Sequence, residues 1–357
     1  MRRGGDRPKR GGSRAAWCGS TGVAVPVSAR DVGETADAPM TGFLVRRLLQ
    51  MVPVLFFVSV IIFVLINLVP GDAARLFLGE EAPPDALALL RHEMGLDRPL
   101  YAQYLHWVGG LLRGDFGHSF KDNRQVLPTL LQKVPVTAEL AAGALLIAWT
   151  IAVPAGVLAA WRRRTVVDYC ASAVALTGLS IPNFWLGIML IYLFAVNLHW
   201  LPASGFVPPT QDLGRNLETL LMPAFVLGVV LAAVVMRQLR SSMLEVLSAD
   251  YVRTASAKGL AARVVLIRHA LRNAVIPVIT VMGIQLGTLL GGAVITESIF
   301  ALPGLGRLAV ESIYGRDYQM LEGVVMFSAV SILLVNLMVD VVYSLIDPRI
   351  KLAGGRS

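Results

Sequence analysis

Ser248-Ala-Asp-Tyr-Val-Arg-Thr-Ala-Ser-Ala-Lys-Gly-Leu260 is a basic stretch between two long apolar segments, and Arg268-His-Ala-Leu-Arg-Asn-Ala-Val-Ile-Pro277 continues it. Its pattern predicts a short helix, with Ser248 as the N-cap and Gly259 as a left-handed stop. A second helix is predicted to begin near Ala261, with an apolar stripe formed by Val264, Ile267, Leu271 and Val275. By pattern alone, this basic block is as typical of an amphipathic hairpin on a membrane surface as of a docking surface for another protein.

The composition of the chain indicates a membrane protein. Of its 357 residues, 55% are hydrophobic and 16% are charged, whereas soluble domains carry about 25% charged residues. The net charge of +8 would suggest nucleic-acid binding in a soluble protein. Here the arginines cluster beside apolar segments, which is typical of cytoplasmic anchoring, so nucleic-acid binding is not expected.

Six apolar segments are long enough to cross a bilayer, which requires about 20 residues. They are Met51–Val69, Val136–Ala160, Tyr169–Leu198, Leu217–Met236, Ile276–Ile295 and Leu321–Ile346. The sequence therefore predicts an all-α polytopic membrane protein with six transmembrane helices.

The distribution of basic residues predicts the direction of these crossings. The runs Arg162–Arg164 and Arg237–Arg272 are both strongly basic, so both are expected in the cytoplasm. The third segment must then cross once, and Pro182 is interpreted as a kink within one tilted helix. An even number of crossings places both termini in the cytoplasm, in a multi-pass protein of the cell membrane.

The sequence offers no catalytic or metal-binding pattern. It lacks a Gly-x-x-x-x-Gly-Lys-[Ser/Thr] loop for ATP, and its serine, histidine and acidic residues show no nucleophile-elbow or metalloprotease spacing. The five histidines are scattered, and the two cysteines, Cys18 and Cys170, suggest no pairing. We therefore expect no enzymatic activity, no bound metal and no cofactor in this chain.

Glycines in the fifth segment bear on how the helices associate. Gly283, Gly287 and Gly291 recur every four residues and form a smooth stripe on one helix face. Small residues let helix backbones approach closely in lipid. The stripe either packs within the chain, or lines a translocation path or a contact with a partner permease.

Asp340 is a charged residue towards the inner end of the sixth segment. It shares a helix face with Asn336, Tyr343 and Asp347. A charge inside the bilayer is unfavourable, so an arginine of the basic block is the expected partner of Asp340. A proton relay is the alternative, but the further mid-membrane carboxylates and the internal repeat expected of a proton-driven carrier are not found in the sequence.

The basic block resembles the EAA loop of ABC importer permeases, in the form typical of dipeptide and oligopeptide transporters. Asp250-Tyr-Val-Arg-Thr-Ala255, Ala257-Lys-Gly-Leu260 and Arg268-His-Ala-Leu-Arg-Asn-Ala274 carry this resemblance. The general motif reads Glu-Ala-Ala, followed further on by Gly. Arg253 and Thr254 replace its Glu and first Ala, whereas Ala255 and Gly259 match it. Further matching pieces follow one another over residues 43–351: Pro70-Gly71-Asp72, Gly95-Leu-Asp-Arg-Pro-Leu100, Gln103-Tyr104, Gly114-Asp-Phe-Gly-His-Ser119, Glu297-Ser-Ile-Phe300, Pro303-Gly-Leu-Gly306, Arg316-Asp317-Tyr318 and Asp347-Pro348-Arg349.

The resemblance implies an ABC importer type I permease domain over residues 40–351. Within it we expect an extracytoplasmic loop at 70–135, with an amphipathic helix around Asp85–Glu93, and a cytoplasmic coupling loop at 240–275. The sequence also predicts a turn at Leu302–Gly306. Residues 352–357 form a C-terminal tail. Residues 1–39 are basic and show no apolar period, which predicts a disordered extension that is absent if translation starts at Met40.

The resemblance also implies an assembly for peptide import. ATP would be bound by two ATPase subunits, or by one fused ATPase, and not by this chain. A second homologous permease, an extracytoplasmic substrate-binding lipoprotein, membrane lipid and a peptide substrate complete the expected partners. The residues expected to couple to the ATPases are Tyr251, Val252, Arg253, Thr254, Ala255, Ala257, Lys258, Gly259, Arg268 and His269, with Val252 and Ala255 as the apolar contacts.

Other functions stay open at this point. The chain could be an ion-driven secondary transporter or a structural membrane scaffold. An ABC permease for nickel complexes or glutathione is a further alternative, because the binding protein that selects the cargo is not in this sequence.

Overall fold

The computed structural model of the chain describes residues 40–68, 83–93, 95–119 and 121–346. Residues 47–348 form one compact unit. A second unit contains the two chain ends, and of this unit the structure describes only residues 40–46, which are helical. The predicted extension at 1–39, Pro70-Gly71-Asp72 and Asp347-Pro348-Arg349 lie outside the described residues. The helices are α1 Met40–Leu68, α2 Pro84–Glu93, α3 Leu100–Leu112, α4 Val126–Trp161, α5 Val166–Ser180, α6 Asn183–Leu190, α7 Leu213–Leu247, α8 Asp250–Ala257, α9 Ala262–Val264, α10 Arg272–Ile299, α11 Leu305–Tyr314 and α12 Tyr318–Ile346.

Two π-helical segments extend this framework. Ile191–Asn197 continues α6, and Val265–Leu271 joins α9 to α10. The predicted amphipathic helix of the outer loop is confirmed as α2, and the predicted turn leads into α11. The sequence pattern did not indicate α3 or α11, and α4 begins well before the expected start of the second span.

Five helical stretches within the described residues are long and apolar enough to cross a membrane. They are Leu44–Leu68, Val126–Trp161, Leu213–Leu247, Ala262–Gly287 and Tyr318–Val341. The sixth candidate is α5 with α6 and its π-helical extension, and this pair is bent by 98°. The expectation of one tilted helix is therefore wrong. The chain is extended at Ile181, with φ −78° and ψ 124°, because the residue before a proline disfavours the helical conformation.

The bent pair and the loop after it nevertheless run from one end of α7 to the other. At its start, Asp168 accepts hydrogen bonds from Arg240, near the C-terminal end of α7. Beyond its end, the Val207 carbonyl accepts a hydrogen bond from Asn216, near the N-terminal end of α7. About 24 residues of helix separate Asn216 from Arg240, a distance of about 36 Å along the axis. Together with the loop that follows it, the pair therefore covers the length of α7, and counting it as one crossing gives six candidate crossings among the described residues.

The contact between α4 and α7 is the centre of the hydrophobic core. Both helices carry rows of small buried residues at four-residue spacing: Ala144, Ala148, Ala152 and Gly156 on α4, and Ala224, Gly228 and Ala232 on α7. A Cβ atom at Gly228 would lie 2.9 Å from the carbonyl oxygen of Ala144. Lipid provides no hydrophobic drive for helix association, so this close approach supplies the van der Waals attraction between the two helices.

Replacing Gly228 with alanine is expected to destabilise the protein by about 1–3 kcal/mol, because the added methyl group meets the backbone of α4. Gly109→Ala is the matched control: Gly109 also lies within a helix, α3, but an added Cβ would have no atom within 4 Å. At Gly109 the higher helix propensity of alanine should stabilise by up to about 1 kcal/mol. Thermal unfolding of both purified variants checks this prediction, and equal melting temperatures would contradict it.

Candidate functional site

The predicted coupling helix is α8, which has eight residues and follows directly after α7. Asp250 lies in its first turn, where the positive end of the helix dipole favours an acidic side chain. The Ser248 hydroxyl donates to the carbonyl of Glu245 at 2.7 Å. Ser248 therefore ends α7, and its prediction as the N-cap of α8 is wrong. Gly259 has a φ of +77°, which confirms it as a left-handed stop.

The apolar face of α8 is turned inward. Val252 and Ala255 are buried in one cluster with Val265 of the π-helical segment, and Val246 and Leu247 at the end of α7 pack against this cluster. Both side chains contact their own chain, so the expectation that they are the apolar contacts for an ATPase is wrong. They instead seat α8 on the end of α7 and on the segment that leads into α10.

The outward face of α8 is polar or small. Most of the remaining predicted coupling residues are exposed there or just beyond it: Tyr251, Arg253, Thr254, Ala257, Lys258 and Gly259. In the π-helical segment, Arg268 is exposed and His269 is half-buried. The side-chain amide of Asn273 donates to the Tyr251 hydroxyl at 2.8 Å, which ties α8 to the first turn of α10. The structure thus brings these residues together on one surface.

The π-helical turns of Val265–Leu271 change which side chains between α9 and α10 are buried. Val265, Leu266 and Ala270 are buried, whereas Val264 and Ile267 are exposed. The predicted apolar stripe is wrong at Val264 and Ile267. The reason is that i→i+5 hydrogen bonding rotates successive side chains to positions different from those of an α-helix.

An ion pair braces the same end of α7. Arg240 donates from Nε to Asp168 Oδ1 at 2.6 Å and from Nη2 to Oδ2 at 2.8 Å, and the Arg164 amide donates to Oδ2 at 3.0 Å. Asp168 is buried. Paired parallel bonds fix the relative orientation of both groups, so α5 is held to α7 close to the coupling helix. The sequence analysis missed this pair; the available signal was a single acidic residue shortly after the run Arg162–Arg164.

Asp340 pairs with Arg47 of α1 across 3.2 Å. The prediction of an arginine of the basic block as its partner is therefore wrong, because Arg47 of α1 occupies this position. The compensating positive charge that the sequence analysis expected is present. The Tyr343 side chain and Asp347 lie outside the described part of the chain.

The glycine stripe of α10 packs against α12 of the same chain at its two described positions. A Cβ atom added at Gly283 would collide with Val339 of α12, and one at Gly287 would lie 3.6 Å from Ile332 of the same helix. Of the two interpretations of the stripe, packing within the chain holds for Gly283 and Gly287. The surroundings of Gly291 lie outside the described residues.

A buried polar cluster joins α4, α10 and α11 at the other end of the molecule's central helices. Glu297, in the last turn of α10, is fully buried. The Thr137 hydroxyl of α4 donates to Glu297 Oε1 at 2.7 Å, and the Arg307 amide donates to Oε2 at 3.0 Å. Thr137 Oγ1 also accepts from the Leu305 amide at 3.0 Å. The carboxylate therefore lies where the free amides of a helix N-terminus favour a negative charge.

A second cluster joins the start of α12 to the loop before α4. The Ser119 hydroxyl donates a short hydrogen bond to Asp317, 198 residues further along the chain. The Gln319 side chain donates to the Phe116 carbonyl at 3.1 Å, and Asp317 Oδ1 accepts from the Met320 amide at 3.2 Å. Two of the short sequence pieces that carried the resemblance thus form one contact.

A third piece of the resemblance closes a turn between α2 and α3. His92 and Asp97 are 2.8 Å apart, and this hydrogen bond lowers the pKa of Asp97. The Gln103 side chain donates to the carbonyls of Leu96 at 3.3 Å and Arg98 at 2.7 Å. These pieces of the resemblance therefore hold loops in place.

Residues 152–352 match the family described as binding-protein-dependent transport system inner membrane component, and residues 40–141 match the N-terminal region of such membrane components. The chain belongs to this permease family. The permease is 43% identical over 333 residues to the di/tripeptide transport system permease protein DppB of Pseudomonas aeruginosa (strain UCBPP-PA14), covering 87% of this chain and 99% of that protein. It is 40% identical over 336 residues to the dipeptide transport system permease protein DppB of Escherichia coli (strain K12), with the same coverage.

Two further similarities bear on cargo and fold. The glutathione transport system permease protein GsiC of Escherichia coli (strain K12) is 40% identical over 313 residues, covering 87% of this chain and 99% of that protein. The inward-facing MetNI methionine ABC transporter is similar in structure, with a TM-score of 0.52 and 18% identity over 62% of this permease and 98% of that chain. The predicted type I permease fold is confirmed.

Thr137→Val is expected to destabilise the permease by about 1–3 kcal/mol, because the Leu305 amide and one Glu297 oxygen lose their buried partner while the side-chain volume is kept. Thr129→Val on the same helix is the control, since its exposed hydroxyl bonds only to the Gln125 carbonyl; its effect should stay within about 0.5 kcal/mol. Urea or thermal unfolding in detergent measures both variants. A Thr137→Val protein as stable as Thr129→Val would exclude the cluster as a structural element.

Proposed function

We propose that this permease moves dipeptides and short peptides across the cell membrane into the cell. The chain is a permease subunit of an ABC importer, with a type I fold. The observation that carries the peptide cargo is identity of 40–43% over 99% of the length of relatives named as dipeptide and di/tripeptide permeases. The six crossings around α4 and α7 give such a subunit its membrane-spanning framework.

In the proposed assembly, this permease pairs with a second homologous permease. Two ATP-binding subunits, or one fused ATPase, bind the nucleotide beneath it, and an extracytoplasmic binding lipoprotein delivers the peptide. The coupling loop at 240–275 and both termini lie in the cytoplasm, and the loop at 70–135 lies outside. The permease domain spans 40–351. The basic runs beside the apolar segments support this orientation.

The outward face of α8 is proposed as the ATPase-docking surface, together with Arg268 and His269. The burial of Val252 and Ala255 supports this assignment, because it seats α8 on its own chain and leaves the opposite side of the helix exposed. The exposed Arg253 and Lys258 suit an acidic groove on the ATPase. The inner face of α8 then passes a displacement to α7 and α10.

A bulky residue on the outward face should block docking without unfolding the chain. In Ala257→Trp, we expect the ATPase subunits to copurify at below about a tenth of the wild-type amount, because an indole at the centre of a contact prevents close seating. Ala88→Trp, on the exposed side of α2, carries the same substitution far from the coupling loop and should copurify them normally. Affinity purification from membranes measures both variants; full copurification in Ala257→Trp would refute the docking surface.

Uptake assays separate the candidate cargoes and mechanisms. In cells that lack this chain, uptake of radiolabelled dipeptides should fall to background and return when the chain is restored, whereas uptake of glutathione and nickel complexes should not change. Loss of glutathione or nickel uptake alone would replace the peptide assignment. Dipeptide uptake that persists without the ATPase subunits would favour an ion-driven carrier, and normal uptake without this chain would favour a scaffold.

A further inference from the structure

A pocket of about 630 Å³ lies between the coupling helix α8 and the start of α10. Arg268, His269 and Arg272 contribute its basic side chains. Tyr251 and Asn273, joined by their 2.8 Å hydrogen bond, form the side towards α8. The pocket therefore connects the predicted ATPase-docking element with a membrane-spanning helix.

Part of the lining of the pocket is apolar. Ile276 and Ile279 line it from the first turns of α10. This segment belongs to a candidate membrane span, Ala262–Gly287. A ligand that fills the pocket must therefore present an anionic or polar group to the arginines and an apolar group to the isoleucines.

The positive charge of the pocket is uncompensated within the described residues. None of the residues that line it is acidic, and neither Arg268 nor Arg272 forms an ion pair in the part of the chain that the structure describes. These arginines are four residues apart, a spacing at which like charges on a helix repel one another. An anion between them removes this repulsion.

We propose that this pocket binds an anionic phospholipid, with its phosphate between Arg268 and Arg272 and the start of an acyl chain along Ile276 and Ile279. Basic pockets at the cytoplasmic ends of transmembrane helices suit anionic headgroups. The isoleucines in the lining favour a lipid over a free phosphate ion. Because Tyr251 belongs to α8 and Asn273 to α10, a headgroup seated beside them links the coupling helix to the bilayer. The site rests on the geometry of α8 and α10, independently of the peptide cargo.

The test compares lipid retention in nanodiscs that contain a mixture of phosphatidylglycerol and phosphatidylcholine. The permease, purified with the subunits that accompany it, is expected to retain phosphatidylglycerol in preference to phosphatidylcholine, measured by mass spectrometry of the bound lipid. Arg272→Gln should weaken this retention about fivefold, and the double variant Arg268→Gln/Arg272→Gln about 25-fold, the effect expected for removing one or two basic contacts to an anionic headgroup. Arg263→Gln is the matched control, since it removes the same charge from an exposed residue of α9 outside the pocket.

Retention by Arg263→Gln, combined with loss in the two pocket variants, supports the site. Equal retention in all variants overturns it and assigns the preference to the general surface charge. Inorganic phosphate that displaces the lipid at equal concentration also overturns it, because the pocket would then select a soluble anion. Retention only in preparations stripped of the ATPase subunits would show that a partner's acidic side chain is the occupant, and this too contradicts the lipid assignment.

Discussion

Close backbone contact between α4 and α7 is the constraint on which the rest of the structure depends. In lipid, two helices gain little from apolar side chains that the acyl chains could solvate equally well, so attraction requires small residues and short interaxial distances. The rows of alanine and glycine provide this, and Gly228 brings the two backbones into contact. Polar contacts attach three further helices to this pair: α5 through Asp168 and Arg240, and α10 with α11 through Thr137. Each attachment has its geometry set by the two central helices.

Two of the buried carboxylates, Glu297 and Asp168, lie at opposite ends of this framework and are satisfied in different ways. Glu297 receives a hydroxyl and backbone amides, which supply hydrogen bonds without bringing a second full charge into a region of low dielectric. Asp168 instead receives a guanidinium, but Arg240 keeps 30% of its side chain exposed, so its desolvation is incomplete. The difference suits their positions. Glu297 closes a packed turn over α4, whereas the Asp168 pair lies near the end of α7 that leads into α8.

The features that local sequence determines were predictable. Segment length and the placement of arginines predicted six candidate crossings. The position of Gly259 as a helix stop was predicted because the stop requires a positive φ. Features that depend on tertiary contacts were not. A two-turn helix such as α8 has one apolar face, and the sequence cannot state whether its own chain or a partner covers that face; the structure assigns it to Val265 and the end of α7. The partner of Asp340 was misjudged for the same reason. The small-residue rows of α4 and α7 are present in the sequence, but alanine is so common in helices that such rows do not by themselves indicate a close helix contact. The rarer glycines of α10 do, and the predicted contact was therefore placed there.

The packing of α8 against α7 and the π-helical segment determines how a displacement of α8 can be transmitted. Because Val252 and Ala255 are buried against both α7 and the π-helical segment, α8 cannot move towards its neighbours without compressing a packed cluster. In the proposed docking, a displacement of α8 would therefore pass to α7, and the small-residue rows and the Asp168 pair would transmit it to α4 and α5. The path to α10 is different, since it runs through Val265–Leu271, where i→i+5 hydrogen bonds replace the α-helical ladder. Such π-helical turns commonly occur at functional sites. This segment also contributes Arg268 to the basic pocket, so the proposed headgroup and the proposed ATPase contact on α8 would act on the same few residues.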